Sequence, residues 1–419
     1  MEKFVIKGPN RVSGVVDISG SKNAALPILA ATLLFDQTVE IKNLPRVKDI
    51  ETMINLLKSL GSNISFSKDR RRVKIKNSKF IKTFASYSLV KKMRAGILVL
   101  GPLVSKYGSA IVSMPGGCQI GVRPINYHLS ALRKLKMSFK IKKGYVHASA
   151  NKLKASLIKF PKISVGATEN LIMASVLAEG KTTLKNCAIE PEIKDLINFL
   201  KSSGAQIKWI GKRTLEIFGV KSLNSTSYSV MGDRIEAGTF CVASVLTNGN
   251  LKICGFNPQL ITTEINLLKK MGARIKTSTN KILINGPKKI KNLNYLVTKE
   301  YPGFPTDLQA QFMVLLCKAK GKSIIQENIF ENRYLHCAEL RRLGANILIK
   351  NRQAIIYGDT NFEGAEVMSS DLRASVALVL AAIVSKGKST IHRIYHLIRG
   401  YENLEKKLKK IGVKIKKTS

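Results

Sequence analysis

The stretch LLKSLGSNI at residues 56–64 returns five times in altered form, as ALRKLKMSF at 131–139, FLKSSGAQI at 199–207, LLKKMGARI at 267–275, ELRRLGANI at 339–347 and KLKKIGVKI at 407–415. Each copy reads the same way. Apolar residues at helical spacing form the last turn of an amphipathic helix, a glycine just past its end stops it, and an alternating polar and apolar pattern then starts a strand. The copy at 131–139 carries Lys136 where the others carry glycine, and is the weakest match.

A companion signal precedes each copy: a helix of small residues, a turn and a short strand. It is clearest in ASVLAEGKTTLKN (174–186), ASVLTNGNLKICG (243–255), LLCKAKGKSIIQEN (315–328) and ALVLAAIVSKGKSTIHR (377–393). Each unit therefore holds two helices and several strands and spans about 70 residues, a period that implies repeated subdomains more than a thin solenoid. Six units fill the chain, and two globular domains of three units each are the economical α/β arrangement. The tripeptides GKT at 180–182 and GKS at 321–323 and 387–389 are not phosphate-binding P-loops. They lack the first glycine of that motif and lead into a strand where a P-loop opens a helix.

Bulk composition limits the remaining choices. A chain of 419 residues can bury large cores. No apolar run reaches the roughly 18 residues of a membrane span, and MEKFVIKGPN lacks a signal's apolar segment, so a cytoplasmic protein is expected. The formal net charge of +43 would suit a polyanion. Lysine, however, greatly outnumbers arginine and is strewn along every segment, as an AT-rich genome would produce. With one tryptophan, the chain also lacks the aromatic platforms of a nucleic-acid binder.

The six cysteines, at 118, 187, 241, 254, 317 and 337, show neither disulfide-like nor zinc-like spacing and are read as reduced thiols. Cys241, Cys254, Cys317 and Cys337 lie in apolar or periodic segments and are expected to be small core residues. Cys118 differs, because it sits in MPGGCQIGVRP (114–124) among glycines with Arg123 beside it. A nearby cation lowers a thiol's pKa from its reference of about 8.5, so the pattern fits a nucleophile or proton donor on a movable loop, or else a cysteine placed there by accident.

Near the N-terminus, ISGSKNAALPILAATLL sets Gly20, Ser21, Lys22 and Asn23 immediately before a helical run. Free N–H groups, the helix dipole and the Lys22 charge favour an anion there, and an ordinary N-cap reads equally well. Arg94, Asp307, Arg333, Asp371, Arg373 and Arg399 are further candidates, several of them in otherwise uncharged, small-residue contexts. In a lysine-rich chain, a retained arginine points to planar, bidentate anion contacts.

These motifs together resemble the UDP-N-acetylglucosamine enolpyruvyl transferases, a branch of the EPSP synthase family. The resemblance covers essentially the whole chain, through GPNRVSGVVDISGSKNAALPILAA, MPGGCQIGVRP, KISVGATEN, EPEIKD, GDRIEAGTF, FPTDLQAQF, FENRYLH, DLRAS and RIYHLIRGYENLEKKL. It implies a two-domain inside-out α/β barrel with three βαβαββ repeats per domain and six in all. The first domain would be residues 20–231 and the second residues 1–19 plus 232–419, with the active site in the cleft between them.

The implied reaction moves the carboxyvinyl group of phosphoenolpyruvate to the 3'-hydroxyl of UDP-N-acetylglucosamine and releases phosphate, the first committed step of peptidoglycan precursor synthesis. No metal or organic cofactor is implied, and the partners are these two small substrates, with no specific nucleic acid, no membrane and a monomeric state. By the resemblance Cys118 is the proton donor and forms an adduct with phosphoenolpyruvate, and Asp307 is the base. Lys22, Asn23, Arg123 and Arg399 would hold phosphoenolpyruvate, with Lys22 and Arg399 also catalytic. Arg94, Arg123, Pro124, Ile125, Asn126, Tyr127, Lys162, Ile163, Ser164, Val165, Asp307 and Ile329 would line the nucleotide-sugar site, and Arg333, Asp371 and Arg373 would support the second-domain side.

Two departures stand out: Asn126 replaces the family's usual aspartate, and Gln119 is bulkier than the residue expected after the cysteine. The sister enzyme acting on shikimate 3-phosphate shares the repeat plan, but the cysteine loop argues against it. A decayed, inactive copy would have lost its catalytic positions first, and they are intact.

Overall fold

The repeat seen in the sequence is seen whole at residues 157–218 of the computed structural model, which describes residues 2–115 and 125–418. Strand Leu157–Lys159 leads to helix Val165–Ser175, strand Lys181–Lys185, helix Pro191–Lys201 and the hairpin Gln206–Gly211 with Thr214–Phe218, a βαβαββ unit. The four strands make one sheet with a parallel pair at one edge and two antiparallel pairs beyond it. Residues 295–357 repeat the order, from strand Tyr295–Val297 to strand Gln353–Tyr357. Among the described residues there are six four-stranded sheets of this pattern.

Three of the sheets complete themselves with distant chain. Strand Ser227–Ser229 supplies the parallel edge beside Val39–Lys42. Ser13–Asp17 does the same beside Asn250–Cys254, and Lys3–Gly8 lies between Gly387–His392 and Ile415–Thr418. The described chain thus divides into two compact units, residues 20–115 with 125–231 and residues 2–19 with 232–418, each with its own apolar core.

The two helices of a repeat differ as their sequences require. Arg234–Leu246 is buried along its whole length, and Val165–Ser175 and Leu372–Val384 almost so. Small side chains let such helices approach one another, Leu100–Tyr107 against Val165–Ser175 in one unit and Gln309–Lys318 against Leu372–Val384 in the other. Partner helices such as Lys48–Leu60 and Pro191–Lys201 bury one face only and carry acid in the first turn and lysine in the last, matching the helix dipole. Gly61 ends that helix at φ 109°, donating its N–H to Leu57 and Lys58 carbonyls. Helices inside and sheets outside make an inside-out α/β barrel of each unit.

The glycine-lysine tripeptides enter strands Lys181–Lys185, Lys322–Gln326 and Gly387–His392, so they bind no phosphate in the P-loop manner. Cys187, Cys241, Cys317 and Cys337 are buried. Cys254 corrects its expectation, being only half-buried, because it is the last residue of its strand.

Candidate functional site

In the unit of residues 20–115 and 125–231, Gly20 has no room for a side chain: a Cβ there would lie 1.8 Å from the Asn43 carbonyl oxygen. Ser21 caps helix Lys22–Ala31, its Oγ accepting from Ala24 N at 3.3 Å while its own N–H donates to Met231 O at 2.7 Å. Lys22 opens the helix with its Nζ 3.0 Å from Asp49 Oδ2, a partner the sequence reading missed, and Asn23 beside it is half-buried. The ordinary cap is therefore present, and Lys22 beside it is paired with Asp49. The Asp49 carboxylate holds the lysine side chain in place at the start of the helix.

A second group forms around three chain segments. Arg94 starts the 3-10 helix Arg94–Val99. Asn126 and Tyr127 start helix Asn126–Lys134, Asn126 exposed and Tyr127 half-buried, while Ile125 before them is in the core. Lys162 is exposed, Ile163 and Ser164 are half-buried, and Ser164 caps helix Val165–Ser175 through Ala167 N. Neither helix has an acid in its first turn, unlike Lys48–Leu60 and Pro191–Lys201. No first-turn carboxylate offsets the partial positive charge of either N-terminus. A depression of about 140 Å³ runs along helix Asn126–Lys134 and strand Leu157–Lys159, lined by Tyr127, Lys134, Lys159 and Phe160 among others.

In the other unit, Asp307 lies in the turn Thr306–Leu308 between two arginines that the sequence places far away. Arg333 Nη2 donates to Oδ1 at 2.8 Å and Arg373 Nη2 to Oδ2 at 2.9 Å. The arginine side chains are 4% and 6% exposed and the aspartate 29%, so the cations are spent inside the protein while the carboxylate remains reachable. Burial opposes the Arg373 charge, but Asp307 outweighs it and holds the guanidinium pKa above its ordinary value. The anion these two arginines recognise is the protein's own.

Around this triad the hydrogen bonds run in one direction. Thr239 Oγ1 donates to Ile235 O at 2.8 Å, so the Tyr401 hydroxyl, 2.9 Å away, donates to Thr239 and accepts from Arg373 Nη1 at 3.3 Å. Gln311 Nε2 donates to both Thr239 Oγ1 and the Asp307 carbonyl. Asp371 caps helix Leu372–Val384, accepting from Arg373 N and Ala374 N. Arg399 follows helix Tyr395–Ile398 and is half-buried.

Glu327, unforeseen from the sequence, is fully buried and ties Ile329 to the Asp307 turn. Its Oε1 accepts from Ile329 N, Phe330 N and Thr298 Oγ1, and its Oε2 from Thr306 Oγ1 at 3.0 Å. The only signal for it was an acid closing a β-strand. Cys118, Gln119, Arg123 and Pro124 lie outside the described residues. Of the other candidates, the structure joins Asp307 directly to Arg333 and Arg373, and it gathers Arg94, Asn126, Tyr127 and Lys162–Val165 on neighbouring segments of one unit.

The family model described as EPSP synthase (3-phosphoshikimate 1-carboxyvinyltransferase) matches residues 6–408. A relative from Pelagibacter ubique (strain HTCC1062), named UDP-N-acetylglucosamine 1-carboxyvinyltransferase, is 63% identical over 418 residues and covers 100% of both chains. One of the same name from Helicobacter pylori (strain P12) is 48% identical over 99% of each. Among solved structures, the enolpyruvyl transferase NikO from Streptomyces tendae superposes with a TM-score of 0.91 over 100% of this chain and 99% of its own, at 24% identity. The EPSP synthase from Acinetobacter baumannii gives 0.78 over 100% of each chain at 18% identity. The structural matches speak for the fold, and the full-length sequence matches for descent: the chain belongs to the EPSP synthase family of carboxyvinyltransferases.

Proposed function

We propose that this chain transfers the carboxyvinyl group of phosphoenolpyruvate to the 3'-hydroxyl of UDP-N-acetylglucosamine and releases phosphate. The observation that carries this reading is the 63% identity, end to end, with the Pelagibacter ubique enzyme of that name. The reaction needs a proton delivered to the methylene carbon, an acceptor for the hydroxyl proton as its oxygen attacks C2, and cations for a phosphate and a carboxylate. Loss of phosphate and of one methyl proton then restores the double bond.

In this reading the first domain, residues 20–231, contributes Lys22, Asn23 and Arg123 to phosphoenolpyruvate. It also contributes Cys118 as proton donor and site of the phosphoenolpyruvate adduct. Arg94, Arg123–Tyr127 and Lys162–Val165 hold the nucleotide sugar, the diphosphate being matched to helix N-termini free of acids. The second domain, residues 1–19 plus 232–419, contributes Arg399 to phosphoenolpyruvate and Asp307 and Ile329 to the sugar. Each Asp307 oxygen accepts one guanidinium N–H, and the partly exposed carboxylate acts as the base toward the sugar hydroxyl. Arg333 and Arg373 hold that carboxylate at a fixed angle, and Asp371 anchors the helix that carries Arg373. The enzyme acts as a cytoplasmic monomer. Among the described residues no helix is long and apolar enough to cross a membrane.

The test is phosphate release from phosphoenolpyruvate with UDP-N-acetylglucosamine, run beside shikimate 3-phosphate and a Cys118→Ala variant. Release with the nucleotide sugar alone, abolished in the variant, is expected. Release with shikimate 3-phosphate instead would transfer the chain to the sister activity, and release with neither acceptor would defeat the reading.

A further inference from the structure

Asn170 is completely buried in helix Val165–Ser175, and none of the roles assigned above uses it. Its carboxamide nevertheless meets three other segments of its unit. Oδ1 accepts from Gly101 N at 2.7 Å, Nδ2 donates to Ile97 O at 3.1 Å, and Nδ2 lies 3.1 Å from His128 Nδ1. The two backbone contacts fix which way the amide points, since the reversed amide would set carbonyl against carbonyl and N–H against N–H. The second Nδ2 hydrogen therefore goes to His128 Nδ1, which accepts it, and the ring proton sits on Nε2. An imidazolium would turn a second N–H toward that hydrogen, so the ring is neutral. In agreement, burial and then the Arg94 charge push the His128 pKa down to about 3.

Each contact lies directly behind a segment assigned to the nucleotide sugar. Ile97 and Gly101 continue the chain from Arg94, through the 3-10 helix Arg94–Val99 into helix Leu100–Tyr107. His128 is in the first turn of the helix that Asn126 and Tyr127 begin. The His128 Cε1–Nε2 edge faces Gly166 in the first turn after the Ser164 cap, where a Cβ would come to 3.2 Å from Cε1 and 3.4 Å from Nε2. A Cβ on Gly101 would come to 2.3 Å from Asn170 Oδ1. The pieces are thus locked together at a separation that two glycines permit.

We propose that Asn170, acting through His128, is a positioning residue for the nucleotide sugar. It fixes the spacing of the Arg94, Asn126–Tyr127 and Lys162–Val165 segments so that all three engage one ligand. The inference rests on the assignment of those segments made under the proposed function. A residue needed for stability alone would lower the melting temperature without changing the affinity of the folded enzyme. A positioning residue changes affinity for the substrate whose site it shapes, and phosphoenolpyruvate is assigned to other residues.

Steady-state phosphate release by the full chain, titrating each substrate in turn, separates these cases. Asn170→Ala is expected to raise the KM for UDP-N-acetylglucosamine about tenfold, equivalent to about 1.4 kcal/mol, with kcat falling far less and the phosphoenolpyruvate KM moving less than about twofold. His128→Leu, which keeps bulk but removes the acceptor, should do the same. His128→Asn returns an amide oxygen to the Nδ1 position and should recover most of the affinity that the leucine variant loses. The inference is overturned if Asn170→Ala and His128→Leu lower the melting temperature yet leave that KM unchanged, or raise both KM values alike. Should Asn170→Ala fail to fold, the two His128 variants decide. Arg94→Ala separates the layers of the argument: if it leaves the nucleotide-sugar KM unchanged, the site assignment fails and the inference with it. If Arg94→Ala raises the KM while the Asn170 and His128 variants do not, the positioning role alone fails.

Discussion

The two units brace their candidate site segments with different chemistry. In residues 20–231 the brace is neutral, an amide shared among two backbone groups and an uncharged imidazole. In the other unit it is ionic, one carboxylate between two buried guanidiniums with a buried glutamate behind its turn. A saturated neutral bridge is inexpensive to bury, and losing a member strands one or two polar atoms. An ionic brace gains from the low dielectric but exposes the survivors to an uncompensated charge when one member goes. Similar geometric tasks are thus met with unequal tolerance of substitution.

The largest expected effect follows from that inequality. Arg373→Ala removes one of the two cations on Asp307 and the donor to Tyr401, and should cost about 3 kcal/mol, the low end for a broken buried pair because Arg333 remains. Arg373→Lys should rescue little, since one ammonium cannot span both acceptors in the planar geometry of a guanidinium. Asn170→Ala should cost about 2 kcal/mol, the desolvation of the stranded Gly101 and Ile97 groups. Urea unfolding of the three variants orders them, and a larger loss for Asn170→Ala than for Arg373→Ala would break the contrast.

A smaller effect separates the braces by pH. Burial, followed by the Arg94 charge, holds the His128 pKa at about 3, so the folded ring stays neutral where the unfolded one, near 6.5, takes a proton. Between those values the unfolded state binds more protons, so stability rises with pH and is lost as pH falls from about 6.5 toward 3. Asp195, raised to about 6 by burial, acts in the opposite sense, favouring the folded state at low pH. Replacing His128 by leucine should therefore remove about 1.4 kcal/mol per pH unit from the slope of stability between roughly pH 4 and 6. An unchanged slope in urea unfolding across that range would show that His128 is charged when folded, and the neutral brace would have to be redrawn as ionic. His336 of the other unit, held at about 4 by burial, leaves its own slope in the variant.

How much of this was legible in the sequence depended on range. Helix ends, glycine stops and strand starts lie within about ten residues of one another, so six repeats could be read from LLKSLGSNI and its relatives. The strands that complete three of the sheets could not, because Ser227–Ser229 and Lys3–Gly8 carry no local mark of the partners they find far along the chain. Asp307, Arg333 and Arg373 stood out singly as charges in quiet surroundings. Their union across 26 and 66 residues is tertiary information. Asn170 and Glu327 gave weaker signals still, since a polar residue in a repeat looks solvent-facing until packing encloses it. A retained arginine points to a planar anion contact, and for Arg333 and Arg373 that anion is the Asp307 carboxylate.

The smallest effect tests the repeats themselves. Five copies stop their outer helix with glycine at positive φ, from 94° at Gly204 and Gly412 to 109° at Gly61, and the sixth does so with Lys136 at 69°. The backbone therefore keeps the turn although the sequence dropped the residue that suits it, and the exposed lysine side chain offers little packing in return. A left-handed residue with a Cβ costs about 1 kcal/mol or more, while glycine gives back about 0.4–1 kcal/mol through the freedom of the unfolded chain. Lys136→Gly should accordingly stabilise by about 0.5 kcal/mol, helped slightly by removing one charge from a chain at +43, with both KM values unchanged. The reverse change, Gly412→Lys, should destabilise by about the same amount, because only the Arg11 carbonyl, 3.5 Å from a Cβ there, adds to the backbone strain. If urea midpoints move in opposite directions for the pair, the turn is one structural device in both units. If Lys136→Gly destabilises instead, the lysine at 136 has been kept for a contact of its own, and the second repeat is built differently from its five relatives.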